Sequence, residues 1–288
     1  MPLLPVSQLE MLFPAFKGKV GNAFASFLRK LLSVSKLSEG YDKFSHLEGA
    51  AFTDAMLDYL DIDFKIGNPD RLLNLPEGPF ITVSNHPYGG IDGVILMSLI
   101  GNQRPRFKVM VNEFLSLVEP LKNSWIVVNP KNDAGSGVTG KNIQGVKEVL
   151  TNLRSGEPVG FFPSGAVSDF KLKEMKIRDR EWQEPVLRLI QKAKAPIVPI
   201  RFFDHNSLVF YSLGLIDWKI RSLRLPREIV NKKNTRIRVG IGNVLSVDEQ
   251  KKHPGIEDFS EWLRESVYGM PKPQEYEVYS NFASRRRK

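Results

Sequence analysis

The sequence predicts an α/β fold: a mixed, largely parallel sheet flanked by helices, with an amphipathic helical segment at the N-terminus. Short β-rich runs alternate with stretches of helical periodicity from Phe80 to Phe202, the pattern of strands joined by crossover helices. Turns rich in Gly and Pro punctuate the alternation, beginning with Pro76-Glu77-Gly78-Pro79. The first forty residues differ: Phe13, Phe16, Val20, Phe24, Phe27, Leu28, Leu31 and Leu32 fall at helical spacings among Lys17, Lys19, Arg29 and Lys30. That is a basic amphipathic helix, suited either to packing on a core or to lying at a membrane interface.

Helical character continues from Tyr41 to Asp61 through Phe44, Leu47, Ala51, Met56, Leu57 and Leu60. The predicted strands are Phe80–Ser84, Phe107–Val111, Trp125–Val128, Pro158–Phe162, Pro196–Phe202 and Thr235–Ile241. The predicted helices among and after them are Ile91–Ile100, Glu113–Val118, Thr139–Leu153, Glu184–Ala193 and Ile256–Val267. Between the last strand and its predecessor, Leu208–Leu225 mixes Phe210, Ile216, Trp218 and Ile220 with Lys219, Arg221 and Arg224. This stretch reads as a buried packing segment or as a second membrane-facing surface. The organisation expected is a helical, membrane-associating segment over 1–66, an α/β domain over 67–270 and a basic tail over 271–288 ending Ser284-Arg285-Arg286-Arg287-Lys288.

With 288 residues, 42% of them hydrophobic and 25% charged, the chain has enough apolar side chain for one full core and too little charge for disorder. The absence of cysteine excludes disulfides, thiolate metal sites and a cysteine-bound acyl intermediate. No apolar run approaches the roughly 20 residues of a spanning helix, and no signal-like start is present, so a cytoplasmic protein is expected. A net charge of +9 favours an anionic partner: nucleic acid, anionic lipid or an acidic carrier protein. The basic residues are scattered or interleaved with Phe and Leu and form no recognisable nucleic-acid motif, so no nucleic-acid partner is expected.

Four histidines, His46, His86, His205 and His253, are the candidates for a base that works near neutral pH. His86 follows a predicted strand, in the segment Ser84-Asn85-His86-Pro87-Tyr88-Gly89-Gly90-Ile91-Asp92, and active sites of α/β sheets gather at strand carboxyl ends. Asp92 is a carboxylate able to hold one imidazole nitrogen protonated while the other takes a proton from a substrate hydroxyl or amine. Gly89 and Gly90 suit a sharp turn beside a ligand; a capped turn with a surface histidine is the plainer reading. A second strand end, Phe161-Phe162-Pro163-Ser164-Gly165-Ala166-Val167-Ser168, offers backbone N–H groups to an oxyanion or an acceptor head group, or is simply a strand-terminating turn. No G-x-S-x-G elbow occurs, which weighs against a serine hydrolase.

These segments resemble the glycerolipid acyltransferase superfamily. Its N-H-x-x-x-x-D block is matched by Asn85, His86 and Asp92, its F-P-E-G-T-R-S block by Phe162 to Ser168, and its V-P-I block by Val198-Pro199-Ile200. Order and spacing agree over roughly residues 80–245. Two departures stand out: five residues instead of four separate His86 from Asp92, and Ser164 and Val167 replace the family's Glu and Arg. The N-H-P-x-G-G-x-D-G form, together with Asn206-Ser207, Phe210-Tyr211 and Leu225-Pro226-Arg227-Glu228, is similar to the hemolysin-like branch, which includes ornithine- and glycine-lipid O-acyltransferases.

The resemblance implies an O-acyltransferase of membrane lipid biosynthesis, peripheral on the inner face of the cytoplasmic membrane. An acyl-ACP or acyl-CoA thioester would be the donor, a lysolipid the acceptor, with no bound cofactor and no metal. His86 and Asp92 would be catalytic; Asn85, Gly89, Gly90, Lys131, Pro163, Ser164, Gly165, Ser168 and Arg178 would bind substrate. The loss of the third-block Glu and Arg favours an N-acyl amino-acid lipid over lysophosphatidic acid, with Lys131, Lys173, Lys176 or Arg178 as partners for its carboxylate or phosphate. The alternative is a non-catalytic lipid-binding protein that keeps the fold.

Overall fold

The computed structural model describes residues 34–112, 115–116, 118–128, 140–235 and 237–286. The amphipathic segment predicted before residue 34, Lys131 and the last two residues lie outside them, as do residues 113, 114 and 117 of the helix predicted at Glu113–Val118.

The strands are β1 (Lys65–Gly67), β2 (Ile81–Ser84), β3 (Lys108–Asn112), β4 (Trp125–Val128), β5 (Val159–Phe161), β6 (Asp169–Lys171), β7 (Lys176–Arg178), β8 (Ile197–Phe202), β9 (Arg238–Ile241) and β10 (Tyr276–Val278). Eight of them form one sheet in the order β10-β1-β9-β8-β2-β5-β3-β4. From β8 to β4 every pairing is parallel, and β9 enters antiparallel to β8. The sheet is therefore mixed and largely parallel, as the alternation predicts. β6 and β7 form a separate antiparallel hairpin.

The main helices are α1 (Val34–Phe44), α2 (Gly49–Tyr59), α3 (Gly90–Leu96, continued by a π turn over Met97–Gly101), α4 (Gly140–Arg154), α5 (Glu184–Ala193), α6 (Leu208–Ile216), α7 (Trp218–Leu223), α8 (Leu225–Val230), α9 (Ile256–Tyr268) and α10 (Tyr279–Arg286). β2 has all its residues buried, the mark of a central strand covered on both faces. Alternation along β8 sorts the layers. Val198, Ile200 and Phe202 join Met56, Leu57, Ile91 and Ile95 of α2 and α3, whereas Ile197 joins Val149, Leu187, Ile190 and Leu263 of α4, α5 and α9.

Three features differ from the sequence reading. The helical stretch Tyr41–Asp61 is two helices, because the chain turns at residues 45–48, where the Leu47 amide donates to the Phe44 carbonyl. β1 straddles the expected boundary between residues 66 and 67 and pairs with both β9 and β10, so residues assigned to the N-terminal segment and to the tail contribute to the sheet edge. A three-residue strand carries no periodicity to read; only its partners define it. The β6–β7 hairpin was equally hidden.

At the amino ends of β2 and β5, one guanidinium gathers three loop carbonyls: Arg104 donates to Pro76, Gly78 and Gly156 and stacks over Phe80. These are the strand ends opposite the predicted catalytic loop. Arg104→Ala is expected to lower unfolding free energy by about 1–3 kcal/mol in urea melts while turnover per folded molecule stays unchanged. A fall in kcat with unaltered stability would contradict that division.

Candidate active site

β2 ends at Ser84, and the next residue fastens the loop. Asn85 is buried; its amide donates to the Phe202 carbonyl at 2.9 Å and accepts from the Phe202 amide at 2.8 Å. Both ends of that side chain are engaged by the last residue of β8. Asn85, predicted as a substrate contact, therefore aligns two strand ends, because a buried backbone pair left without partners would be costly.

His86 stands next in line, 18% exposed, with its ring tilted over Phe162 at 4.3 Å. Its Nδ1 lies 2.9 Å from Oδ2 of Asp92, with the N–H direction off the line between them. Such contacts commonly tighten when substrate binds. Among the described residues nothing hydrogen-bonds Nε2. Asp92 is fully buried, and the same Oδ2 accepts the amides of Tyr88 at 2.8 Å and Gly89 at 2.9 Å. Gly89 makes this return possible: its φ of 81° lies in the region that favours glycine, and a Cβ there would come within 3.0 Å of Leu225 and 3.1 Å of Val167. The loop is thus longer by one residue than the family block, yet still brings its carboxylate to its imidazole. Gly90 opens α3.

The second loop meets the first through backbone and one carboxylate. The Ser168 amide donates to the His86 carbonyl at 2.9 Å. Asp179 is buried; its Oδ1 accepts the Ser168 hydroxyl at 2.5 Å and the His86 amide at 3.1 Å, and its Oδ2 accepts from Trp182. Asp179 was missed by the sequence reading, as was Arg221, which reaches from α7 to the carbonyls of Val167 and Ser168 and to Asp169. A residue that acts only across a loop contact has no local motif to betray it.

The other predicted site residues fall as follows. Pro163 and Ser164 are buried, and the Ser164 hydroxyl donates to the Ala166 carbonyl. The Ser168 hydroxyl is taken up by Asp179. Gly165 is exposed with φ 62°, but its amide donates to Phe162, which removes it as an oxyanion donor; the amides of Ala166 and Val167 have no partner among the described residues. Arg178 turns away from His86 to stack over Tyr268 at 4.6 Å and approach Glu174 at 4.0 Å. Its guanidinium therefore does not join the histidine loop.

The segments that look like the hemolysin-like branch brace the longer loop from outside. Asn206 donates to the Tyr88 carbonyl and the Tyr211 hydroxyl to the Pro87 carbonyl. Glu228, buried in α8, accepts both the amide and hydroxyl of Ser207 and the Arg224 guanidinium. Burial pushes its carboxyl up, but these donors and Lys232 outweigh that and hold it below its ordinary range. Lys232 sits 4.8 Å over the Tyr88 ring, its ammonium pushed down by burial.

The family described as Acyltransferase matches residues 19–274. The chain belongs to this acyltransferase family. Lyso-glycine lipid O-acyltransferase from Bacteroides thetaiotaomicron is 27% identical over 252 residues, covering 84% of this chain and 88% of that protein. Its namesake from Phocaeicola vulgatus is 26% identical, over 84% of this chain and 86% of its own. Among solved structures, the 1-acyl-sn-glycerophosphate acyltransferase PlsC from Thermotoga maritima is 14% identical, with a TM-score of 0.47 over 76% of this chain and 75% of that one.

In this acyltransferase, burial pushes the Asp92 carboxyl above its ordinary range, against the pull of His86 and the amides of Tyr88 and Gly89. A proton bound more tightly in the folded than in the unfolded chain stabilises the fold at low pH, and that contribution is lost as pH rises through the raised value. Asp92→Asn cannot titrate there. The melting temperature of wild type minus that of Asp92→Asn should therefore shrink as pH rises from about 4; a difference that stays flat with pH would refute the buried-acid assignment. Asn85→Ala, which strands the amide and carbonyl of Phe202, is expected to cost about 2–4 kcal/mol in urea melts.

Proposed function

We propose that this protein transfers a fatty acyl group from a thioester, carried by acyl carrier protein or CoA, to the hydroxyl of a lysolipid or N-acyl amino-acid lipid. The observation that carries the reading is the buried Asp92 carboxylate 2.9 Å from His86 Nδ1 at the end of a central strand, in a chain of the acyltransferase family. The relatives named lyso-glycine lipid O-acyltransferases support an amino-acid lipid as acceptor.

In the proposed reaction, Asp92 keeps the proton on Nδ1, and Nε2 removes the proton of the acceptor hydroxyl as its oxygen attacks the thioester carbonyl. The tetrahedral oxyanion forms beside the amides of Ala166 and Val167, which are candidate donors. Collapse breaks the C–S bond, and the imidazolium returns its proton to the departing thiolate, so that an ester and a free thiol leave. No covalent acyl-enzyme is required.

Acceptor chemistry follows from the second loop. Ser164 is neutral and closed on its own turn, and Arg221, the cation that does reach this loop, is engaged by carbonyls and Asp169. A headgroup with a single carboxylate fits that surrounding better than a phosphate dianion. The working location is the inner face of the cytoplasmic membrane; no helix among the described residues is long and apolar enough to cross a membrane.

The decisive experiment is acyl transfer by purified protein with acyl carrier protein and CoA thioesters, offered lyso-glycine lipid and lysophosphatidic acid as competing acceptors. His86→Ala and Asp92→Asn are each expected to lower kcat by about 10²–10⁴-fold, with lyso-glycine lipid preferred by the wild type. Near-normal turnover of His86→Ala would sink the mechanism, and preference for lysophosphatidic acid would sink the acceptor.

A further inference from the structure

Away from the histidine loop, exposed apolar side chains gather on two neighbouring elements. In the β6–β7 hairpin, the turn carries Leu172 and Met175, 61% and 73% exposed. On α6 and α7, Leu208, Ile216, Trp218 and Ile220 face outward, Ile216 at 76% exposure, while Phe210 and Tyr211 form the inner, buried side. α6 packs against β6. Arg221 of α7 locks the two together through Asp169 and the carbonyls of Val167 and Ser168. Apolar groups clustered in this way on a rigid support mark an interaction surface.

The flanking charge is basic. Lys171, Lys173 and Lys176 alternate with Leu172 and Met175 in the hairpin, and against them stands Glu174, leaving a local surplus of two positive charges. Glu174 itself lies 4.0 Å from Arg178. Lys219 neighbours the Trp218 ring, and Arg227 is exposed on α8. Long aliphatic residues, one indole and a collar of lysines are the composition of a surface that enters the headgroup region of an anionic bilayer, the indole lying at the level of the interface.

We propose that the β6–β7 hairpin and the outer faces of α6 and α7 form a docking surface that inserts into an anionic membrane. The hairpin begins directly after Ser168, whose amide holds the His86 carbonyl, and α6 begins two residues after Asn206, which holds the Tyr88 carbonyl. A bilayer seated on these elements meets the chain beside the loop that carries the imidazole. A lipid hydroxyl then reaches His86 from the interface without leaving the membrane as a free monomer. The docking is a property of the surface; its use for acceptor capture rests on the acyl-transfer reading above.

The test uses the full chain with vesicles of equimolar phosphatidylglycerol and phosphatidylcholine, and with phosphatidylcholine alone. Vesicles containing bromine-labelled lipid should quench and blue-shift the emission of Trp218, obtained by subtracting the Trp218→Phe protein, and more strongly on the anionic vesicles. The double variants Leu172→Asp/Met175→Asp and Ile216→Asp/Ile220→Asp should weaken vesicle partitioning by about tenfold or more and lower turnover of vesicle-embedded acceptor. Turnover of a water-soluble short-chain acceptor should be unchanged. Should an aspartate variant fold poorly, the wild-type Trp218 quenching still decides. Vesicle binding without Trp218 quenching overturns the proposal, as does a wild-type dimer that the variants dissolve, or variants that lose only the carrier-protein donor. Quenching without any turnover would leave the docking standing and remove the acyl-transfer reading instead.

Discussion

Three carboxylates lie in the interior around a single loop, and a charge is tolerated there only where donors surround it. Asp92, Asp179 and Glu228 are each at most 1% exposed, and each takes its compensation from backbone amides: Tyr88 and Gly89 for the first, His86 for the second, Ser207 for the third. The loop between β2 and α3 cannot move without stripping at least one buried carboxyl group of its partners. That requirement turns a glycine-rich connection, otherwise mobile, into a fixed mount for His86. Further donors come from elsewhere, the cations of Arg224 and Lys232 at Glu228 and the neutral indole N–H of Trp182 at Asp179.

The same network explains how an extra residue is absorbed. A longer connection between His86 and Asp92 would ordinarily push the carboxylate past the imidazole. Here Gly89, at φ 81°, turns the chain while packed against Leu225 and Val167, and the amides of Tyr88 and Gly89 return to Oδ2. The carbonyls that this buried turn leaves over need partners, which Asn206 and Tyr211 supply by donating to those of Tyr88 and Pro87. The departure in the loop and the distinctive residues over 206–228 are therefore one structural solution, parts of which lie more than a hundred positions apart.

What could be read from the sequence was what is encoded locally. Strands such as Ile81–Ser84 and Ile197–Phe202 announce themselves as apolar β-branched runs, and His86 and Asp92 stand close enough in the chain for their pairing to be anticipated. Asp179 could not be read this way, since its bond to the His86 amide spans 93 positions and its own neighbourhood looks like an ordinary charged turn. β1 and β10 escaped for the same reason: three residues define neither period nor propensity, and only pairing across the sheet makes them strands. Asn85 was legible as a member of a motif but not in its role, because nothing local reveals that Phe202 occupies both ends of its amide.

The changes at Ser164 and Val167 acquire meaning against that background. With no charged side chain contributed by the second loop itself, the guanidinium of Arg221 enters from α7 and closes on the carbonyls of Val167 and Ser168. Asp169, held below its ordinary carboxyl range because Arg180 and Arg221 outweigh its partial burial, completes the neutralisation. A cation so enclosed, its side chain 6% exposed, has no remaining reach toward a phosphate. It serves instead to couple the loop to α7 and the hairpin, so that the strand ends bearing the histidine and the apolar outer surface form one rigid piece. The proposed preference for a weakly charged headgroup and the proposed docking beside the loop would then share one origin: the cation at the second loop enters from α7, as a brace.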